Sequence, residues 1–142
     1  IKGFTTNPSL MNKSGINNYE KFAKDVLRLT DLPVSFEIIS DDEQEIFNQA
    51  KKISSWGKNV YVKIPITNTK GFFLGELIKK LQDQNIKLNI TAITTFEQVS
   101  KLNQFLNKDF PICLSIFAGR IADTGRDPYQ LIGKQHEFDC FL

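Results

Sequence analysis

Lys63 stands in the middle of the run Val60-Tyr-Val-Lys-Ile-Pro-Ile66, where an amine must be partly desolvated or reach a polar partner. Burial and nearby positive charge favour the neutral form of an amine, and a neutral amine attacks a carbonyl carbon. The competing reading is a lysine held by Glu37 in an ion pair. Glu37 occupies the matching position one apolar run earlier, where a carboxylate beside an amine could also move the protons that carbinolamine formation and dehydration require. Thr91 could hold a water between the two, although a threonine in a strand is more often there for its β-propensity. Asn7, Asn89, Thr91 and Ser115 suit the hydroxyls of a polyol, and their convergence would tip Lys63 toward catalysis rather than structure. Arg120 follows the run that bears Ser115 and Phe117. A guanidinium there can grip phosphate in a forked geometry, but its own context favours a rim arginine in a surface ion pair.

These residues need elements that bring them together. Short apolar runs alternate with helical patterns, the signature of βα units and a parallel sheet. The expected strands are residues 2–7, 34–39, 60–66, 87–93 and 112–118. Between them helix-period spacing appears as Phe22, Val26, Leu29; Ile46, Ala50, Ile53; Phe73, Leu77, Leu81; and Val99, Leu102, Leu106. Ser40 with Glu43 and Thr94 with Glu97 read as capping boxes. Asp127-Pro128 predicts the start of a further helix, and Asp123-Thr-Gly-Arg-Asp-Pro128 reads first as turn chemistry.

Parity chooses between parallel folds. One face of the strands reads Phe4; Val34, Phe36, Ile38; Val62, Ile64, Ile66; Leu88, Ile90, Ala92; and Ile112, Leu114, Ile116, and is expected to meet the helices. The other reads Thr5, Asn7; Ser35, Glu37; Tyr61, Lys63; Asn89, Thr91; and Cys113, Ser115, Phe117. Strands of an open doubly wound sheet are covered on both faces and read as continuous apolar runs, whereas these are polar on one face near each C-terminal end. A barrel interior gathers such faces at its C-terminal mouth. The expected fold is therefore α/β, a partial (β/α)8 TIM barrel, with residues 1–142 forming a single incomplete domain of five units.

Composition narrows the function. The 18 basic and 16 acidic side chains leave a net charge of +2 and no basic face for nucleic acid. No apolar run approaches the roughly 20 residues that span a bilayer, and no secretory signal opens the chain, so no membrane partner and a cytoplasmic location are expected. Cys113 and Cys140 lack any CxxC or Cys/His spacing, so neither a metal nor a disulfide framework is suggested and both are expected as free thiols. His136 reads as a surface residue and Trp56 as packing at a helix end. The chain opens at Ile1 in what reads as mid-strand, so a native start upstream of it is expected.

Taken together, Thr5-Thr-Asn-Pro-Ser9, Ser35-Phe-Glu37, Val62-Lys-Ile-Pro65, Asn89-Ile-Thr91 and Ser115-Ile-Phe-Ala-Gly-Arg-Ile121 resemble the transaldolase family, in its order, from Gly3 to about Pro128. The resemblance implies strands 2 to 6 of the family's barrel, with the first strand and the last two βα units outside the chain. It implies a class I mechanism without metal or cofactor, in which Lys63 forms a Schiff base while Glu37 and Thr91 handle a catalytic water. Asn7, Asn89 and Ser115 would hold substrate hydroxyls, and Arg120 a sugar phosphate. Transfer of a dihydroxyacetone unit from a ketose phosphate to an aldose phosphate is the implied activity. Fructose 6-phosphate aldolase is the related alternative, but that enzyme has glutamine and tyrosine where this chain has Glu37 and Phe117. An inactive sugar-phosphate-binding fragment is the alternative of another class. A homo-oligomer is compatible with the sequence, since strands at the ends of an incomplete barrel would be unpaired edges. The last dozen residues fit the helix expected after Asp127-Pro128 poorly, and the tail after Gly133 reads as unusual.

Overall fold

The computed structural model describes residues 1–135. His136 and Cys140 lie outside the described residues. Five parallel strands form one sheet in the order β1-β2-β3-β4-β5: β1 (Phe4–Thr5), β2 (Val34–Glu37), β3 (Val60–Pro65), β4 (Leu88–Ile93) and β5 (Ile112–Ile116). This sequential parallel order, with helices between strands, is that of a partial (β/α)8 barrel. The chain divides into two compact units, Ile1–Lys63 and Ile64–Leu142, and the division falls within β3.

In the first unit β2 pairs with β1 through Phe4↔Val34 and with β3 in a register that sets Phe36 against Val62 and Glu37 against Lys63. The apolar parity buries Val34, Phe36, Ile38 and Val62, as alternation predicts. Helix α3 (Glu43–Ser54) buries Ile46, Ala50 and Ile53, the expected stripe, each large side chain worth roughly 1.5–3 kcal/mol of transfer free energy. Its cap is Asp42, whose carboxylate accepts from Glu45 N, and not Ser40 with Glu43. Ser40 instead donates its hydroxyl to Glu45 Oε2 at 2.6 Å, because the loop runs two residues further than the capping-box pattern suggests.

Two other expectations change here. The first strand closes at Thr5, and Asn7-Pro8 opens a short helix, α1 (Pro8–Lys13), with Asn7 Oδ1 accepting from Leu10 N at 3.1 Å. An Asn cap followed by proline at the first helical position is a start signal that the strand pattern obscured. Helix α2 (Tyr19–Leu27) buries Ala23 rather than a stripe through Leu29, which is past the helix end and 85% exposed.

In the second unit β4 pairs with β5 through Leu88↔Ile112, Asn89↔Cys113 and Ile90↔Leu114, and then Ile93↔Ile116. Three steps along β4 match two along β5, so β4 carries a bulge. Ala92 sits there at φ 61°, in the left-handed region, and Ile93 rather than Ala92 is the buried residue. Simple alternation therefore fails at Ala92. Helix α4 (Gly75–Asp83) buries Leu77, Ile78 and Leu81, and α5 (Phe96–Leu102) buries Val99 and Leu102. The capping box of α5 is Thr95 with Gln98, one residue beyond the expected Thr94 with Glu97. Strand β5 stops at Ile116, and Phe117 is the N-cap of a helix that the sequence did not announce, α6 (Ala118–Asp123). The turn at Gly125 (φ 78°) follows as its glycine predicts, and a helix follows Asp127-Pro128, although α7 (Tyr129–Gln135) starts one residue later than a proline at its first position would give.

Candidate active site

Two groups of candidate residues sit in the two units. In the first, the register of β2 and β3 places Glu37 and Lys63 side by side with no offset, both on the polar parity. Lys63 Nζ lies 3.2 Å from Glu37 Oε2, with the two side chains 11% and 26% exposed. The amine is thus largely withdrawn from water while its carboxylate partner keeps a solvent path. An amine and a carboxylate so placed can exchange a proton directly, the requirement for adding an amine to a carbonyl and expelling water. The ion-pair geometry and the catalytic geometry are the same arrangement, so the pairing alone does not exclude chemistry.

The main chain around Glu37 is tied down by a residue on another element. Tyr19 Oη donates to Glu37 O at 3.0 Å, and Thr6 Oγ1 donates to Ser35 O at 3.0 Å, with the two hydroxyls 3.4 Å apart. Burial pushes the Tyr19 phenol above its usual range, against the lowering effect of its hydrogen bonds. Tyr19 was invisible to sequence reasoning: nothing in an Asn-Tyr helix start points to a strand end 18 residues away. Asn7 is exposed, with Oδ1 occupied by the α1 cap; its amide nitrogen is the end left for another partner.

In the second unit Ser115 Oγ donates to Asn89 Oδ1 at 2.7 Å, joining two of the expected polyol ligands on neighbouring strands. Asn89 is 5% exposed and Thr91 1%. Thr91 Oγ1 is buried with no hydrogen-bond partner among the described residues, an unusual state for a hydroxyl that can both donate and accept. Its backbone carbonyl is satisfied by Ile66 N at 2.9 Å. Cys113 shares the polar parity with Ser115; burial raises its thiol above the usual range, which disfavours a thiolate nucleophile there.

Phe117 is 38% exposed at the end of β5, its N–H donating to Ile93 O at 2.8 Å. Arg120, in the first turn of α6, has Nη1 3.4 Å from Asp123 Oδ2, with side chains 77% and 68% exposed. That is the surface ion pair expected from its context, and such a pair is worth about 0–1 kcal/mol, little enough for a phosphate to displace. Among the described residues no cluster of three or more His, Cys, Asp or Glu side chains could hold a metal ion, and no helix is long and apolar enough to cross a membrane.

Residues 1–137 match the family described as Transaldolase/Fructose-6-phosphate aldolase. A "Probable transaldolase" of Streptococcus equi subsp. zooepidemicus is 36% identical over 132 residues, covering 93% of this chain and 58% of the relative. Proteins of the same name from Thermoplasma volcanium and Dehalococcoides mccartyi are 35% identical over 134 residues and 36% over 135, each across 93% of this chain. The chain covers 56% and 58% of those two proteins. With its parallel sheet, its strand order and matches of this extent, the chain belongs to the transaldolase/fructose-6-phosphate aldolase family.

Proposed function

We propose that this chain carries the Schiff-base lysine of a transaldolase, with Lys63 as the amine and a ketose phosphate of the fructose 6-phosphate type as donor. The observation that carries the reading is the buried amine of Lys63, 3.2 Å from the Glu37 carboxylate on the adjoining strand. Lys63 Nζ attacks the C2 ketone, and Glu37 moves the protons that turn the carbinolamine into an iminium with loss of water. The iminium accepts the electron pair of the C3–C4 bond as it breaks, while the C4 hydroxyl yields its proton to a base and becomes a carbonyl. An aldose phosphate leaves, and the dihydroxyacetone unit stays on Lys63 as an enamine until it adds to the carbonyl of another aldose phosphate. Thr91, whose buried hydroxyl has no hydrogen-bond partner among the described residues, suits the holding of the catalytic water. Asn7, Asn89 and Ser115 would bind substrate hydroxyls, and Arg120 would exchange Asp123 for the sugar phosphate.

Protonation of the enamine instead of transfer would make the enzyme an aldolase. Glu37 and Phe117, where the resembling aldolase has glutamine and tyrosine, favour transfer. A cytoplasmic enzyme acting on soluble sugar phosphates without a cofactor fits this chemistry. The chain spans less than two thirds of the relatives it matches, so turnover is proposed for the protein as a whole. Borohydride reduction in the presence of fructose 6-phosphate, followed by mass spectrometry of the Lys63 peptide, tests the assignment. Lys63 is expected to carry the reduced three-carbon adduct, and Lys63→Arg to abolish it, since a guanidinium stays protonated. Adduct on another lysine with Lys63 unmodified would overturn the reading.

A further inference from the structure

We propose that Tyr19 is a positioning residue for Glu37, its hydroxyl fixing the end of β2 so that the carboxylate stays against Lys63. The inference rests on the roles proposed above for Lys63 and Glu37. Glu37 is the last residue of β2, where a strand frays most readily. Beyond it Ile38 N still donates to Lys63 O at 3.1 Å, but Ile39 is 69% exposed, and its N–H turns away to Gln49 Oε1 at 3.0 Å. The carbonyl of Glu37 is held from outside the ladder by Tyr19 Oη at 3.0 Å.

Tyr19 is itself fixed on several sides. It is the first residue of α2, directly after the cap Asn18, whose Oδ1 accepts from Lys21 N at 2.9 Å. Its ring stands edge-on to Trp56 at 5.5 Å and to Phe36 at 6.1 Å. Thr6, by donating its hydroxyl to Ser35 O, ties the same strand two residues earlier, so two hydroxyls hold two successive same-side carbonyls of β2. Burial, by raising the phenol's pKa, keeps the Tyr19 proton available for donation through the neutral range. Phenylalanine would supply the same ring packing. The hydroxyl adds one thing, a bond to the backbone of the residue that faces Lys63.

The test measures reductive trapping of dihydroxyacetone on Lys63 in the full protein, its rate followed against ketone concentration for the native form, Tyr19→Phe, Glu37→Gln and the double variant. Loss of one hydrogen bond's worth of positioning predicts a limiting rate lowered about fivefold in Y19F, with the half-saturating concentration unchanged. In the E37Q background the added Y19F change is expected to have no further effect, because Tyr19 would act only through the carboxylate. Equal rates in native and Y19F protein, or the same loss persisting in the E37Q background, would overturn the proposal while leaving Lys63 as the trapped residue. Failure of the native protein to trap at Lys63 would instead overturn the underlying reading. Should Y19F not fold, 3-fluorotyrosine placed at position 19 keeps the ring and ionises at lower pH. Relative to native protein, its trapping rate is expected to fall as that phenol ionises, and a flat ratio would overturn the inference.

Discussion

Glu37→Gln removes one end of an ion pair and leaves behind an ammonium whose side chain is 11% exposed. At the 3.2 Å separation and an effective dielectric of about 20, the direct attraction is of order 5 kcal/mol. Desolvation and side-chain ordering offset most of it, and the 26% exposure of Glu37 lets water screen the rest. The expected loss of stability for E37Q is therefore about 1–3 kcal/mol, below the roughly 3–5 of a fully buried pair. Lys63→Met keeps the apolar stem and leaves a carboxylate that can reach water, so it is expected to cost only about 0–1 kcal/mol. The double variant, with no charge to strand, should return to within about 1 kcal/mol of native. Equilibrium unfolding in urea at neutral pH reads this as a shift in midpoint at constant slope. Equal single losses that simply add in the double variant would refute the asymmetry. If the asymmetry holds, the pair is not retained for stability, since an uncharged replacement would serve the fold as well.

Arg120→Ala should weaken phosphorylated ketoses by about 1.5–3 kcal/mol and leave dihydroxyacetone nearly unaffected, read by titrating trapping at Lys63; equal losses for both would mark a structural arginine. Ala92→Gly relieves a left-handed alanine at φ 61°, worth about 1–2 kcal/mol, against about 0.4–1 kcal/mol of added unfolded-chain entropy, so unfolding should show a net change between zero and about 1.6 kcal/mol of stabilisation. A loss above about 1 kcal/mol would mean that the alanine methyl packs usefully there. Hydrogen bonds from Lys24 and Lys52 hold the Glu20 carboxylate down at about 2, from an ordinary 4.5. A depressed carboxylate stabilises the fold above the unfolded value, so the native protein's advantage over Glu20→Gln should disappear as pH falls from about 4.5 to about 2. It should also shrink in high salt at neutral pH, because the group is exposed; an advantage that grows on acidification would contradict the assignment.

The parts of this fold that follow one period were legible in the sequence. Ile46, Ala50 and Ile53 recur at helical spacing and are buried together, and Glu37 and Lys63 share a parity on strands whose register has no offset. What escaped was local backbone geometry that competes with a period. Ala92 has no preference for the left-handed region, so nothing in Asn89-Ile-Thr-Ala-Ile93 marks a bulge, and alternation carried on one residue too far. At Asn7 and Phe117 the strand patterns ran into helix starts: an Asn-Pro cap in the first case, and in the second an aromatic residue with strand propensity but no capping side chain. The contact of Tyr19 with Glu37 O lies on a different level, because a phenol reaching a distant main-chain oxygen leaves no trace in spacing or composition.

Trp56 is the only tryptophan in the sequence, and it lies in the Ile1–Lys63 unit, its ring 5.5 Å from Tyr19 and 5.6 Å from Phe36. The molecule thus carries its tryptophan fluorescence in one unit alone. Excited near 295 nm, about where tyrosine no longer absorbs, its emission would follow solvent entry around Tyr19 and Phe36. Far-UV circular dichroism would sum the helices of both units. Coincident denaturation curves from the two signals would describe a single cooperative transition, whereas an emission change that precedes the loss of ellipticity would mean that the surroundings of Glu37 and Lys63 loosen first. The same tryptophan would register whether occupying Lys63 with a ketone tightens the aromatic cluster behind β2, an optical readout of substrate binding that requires no label.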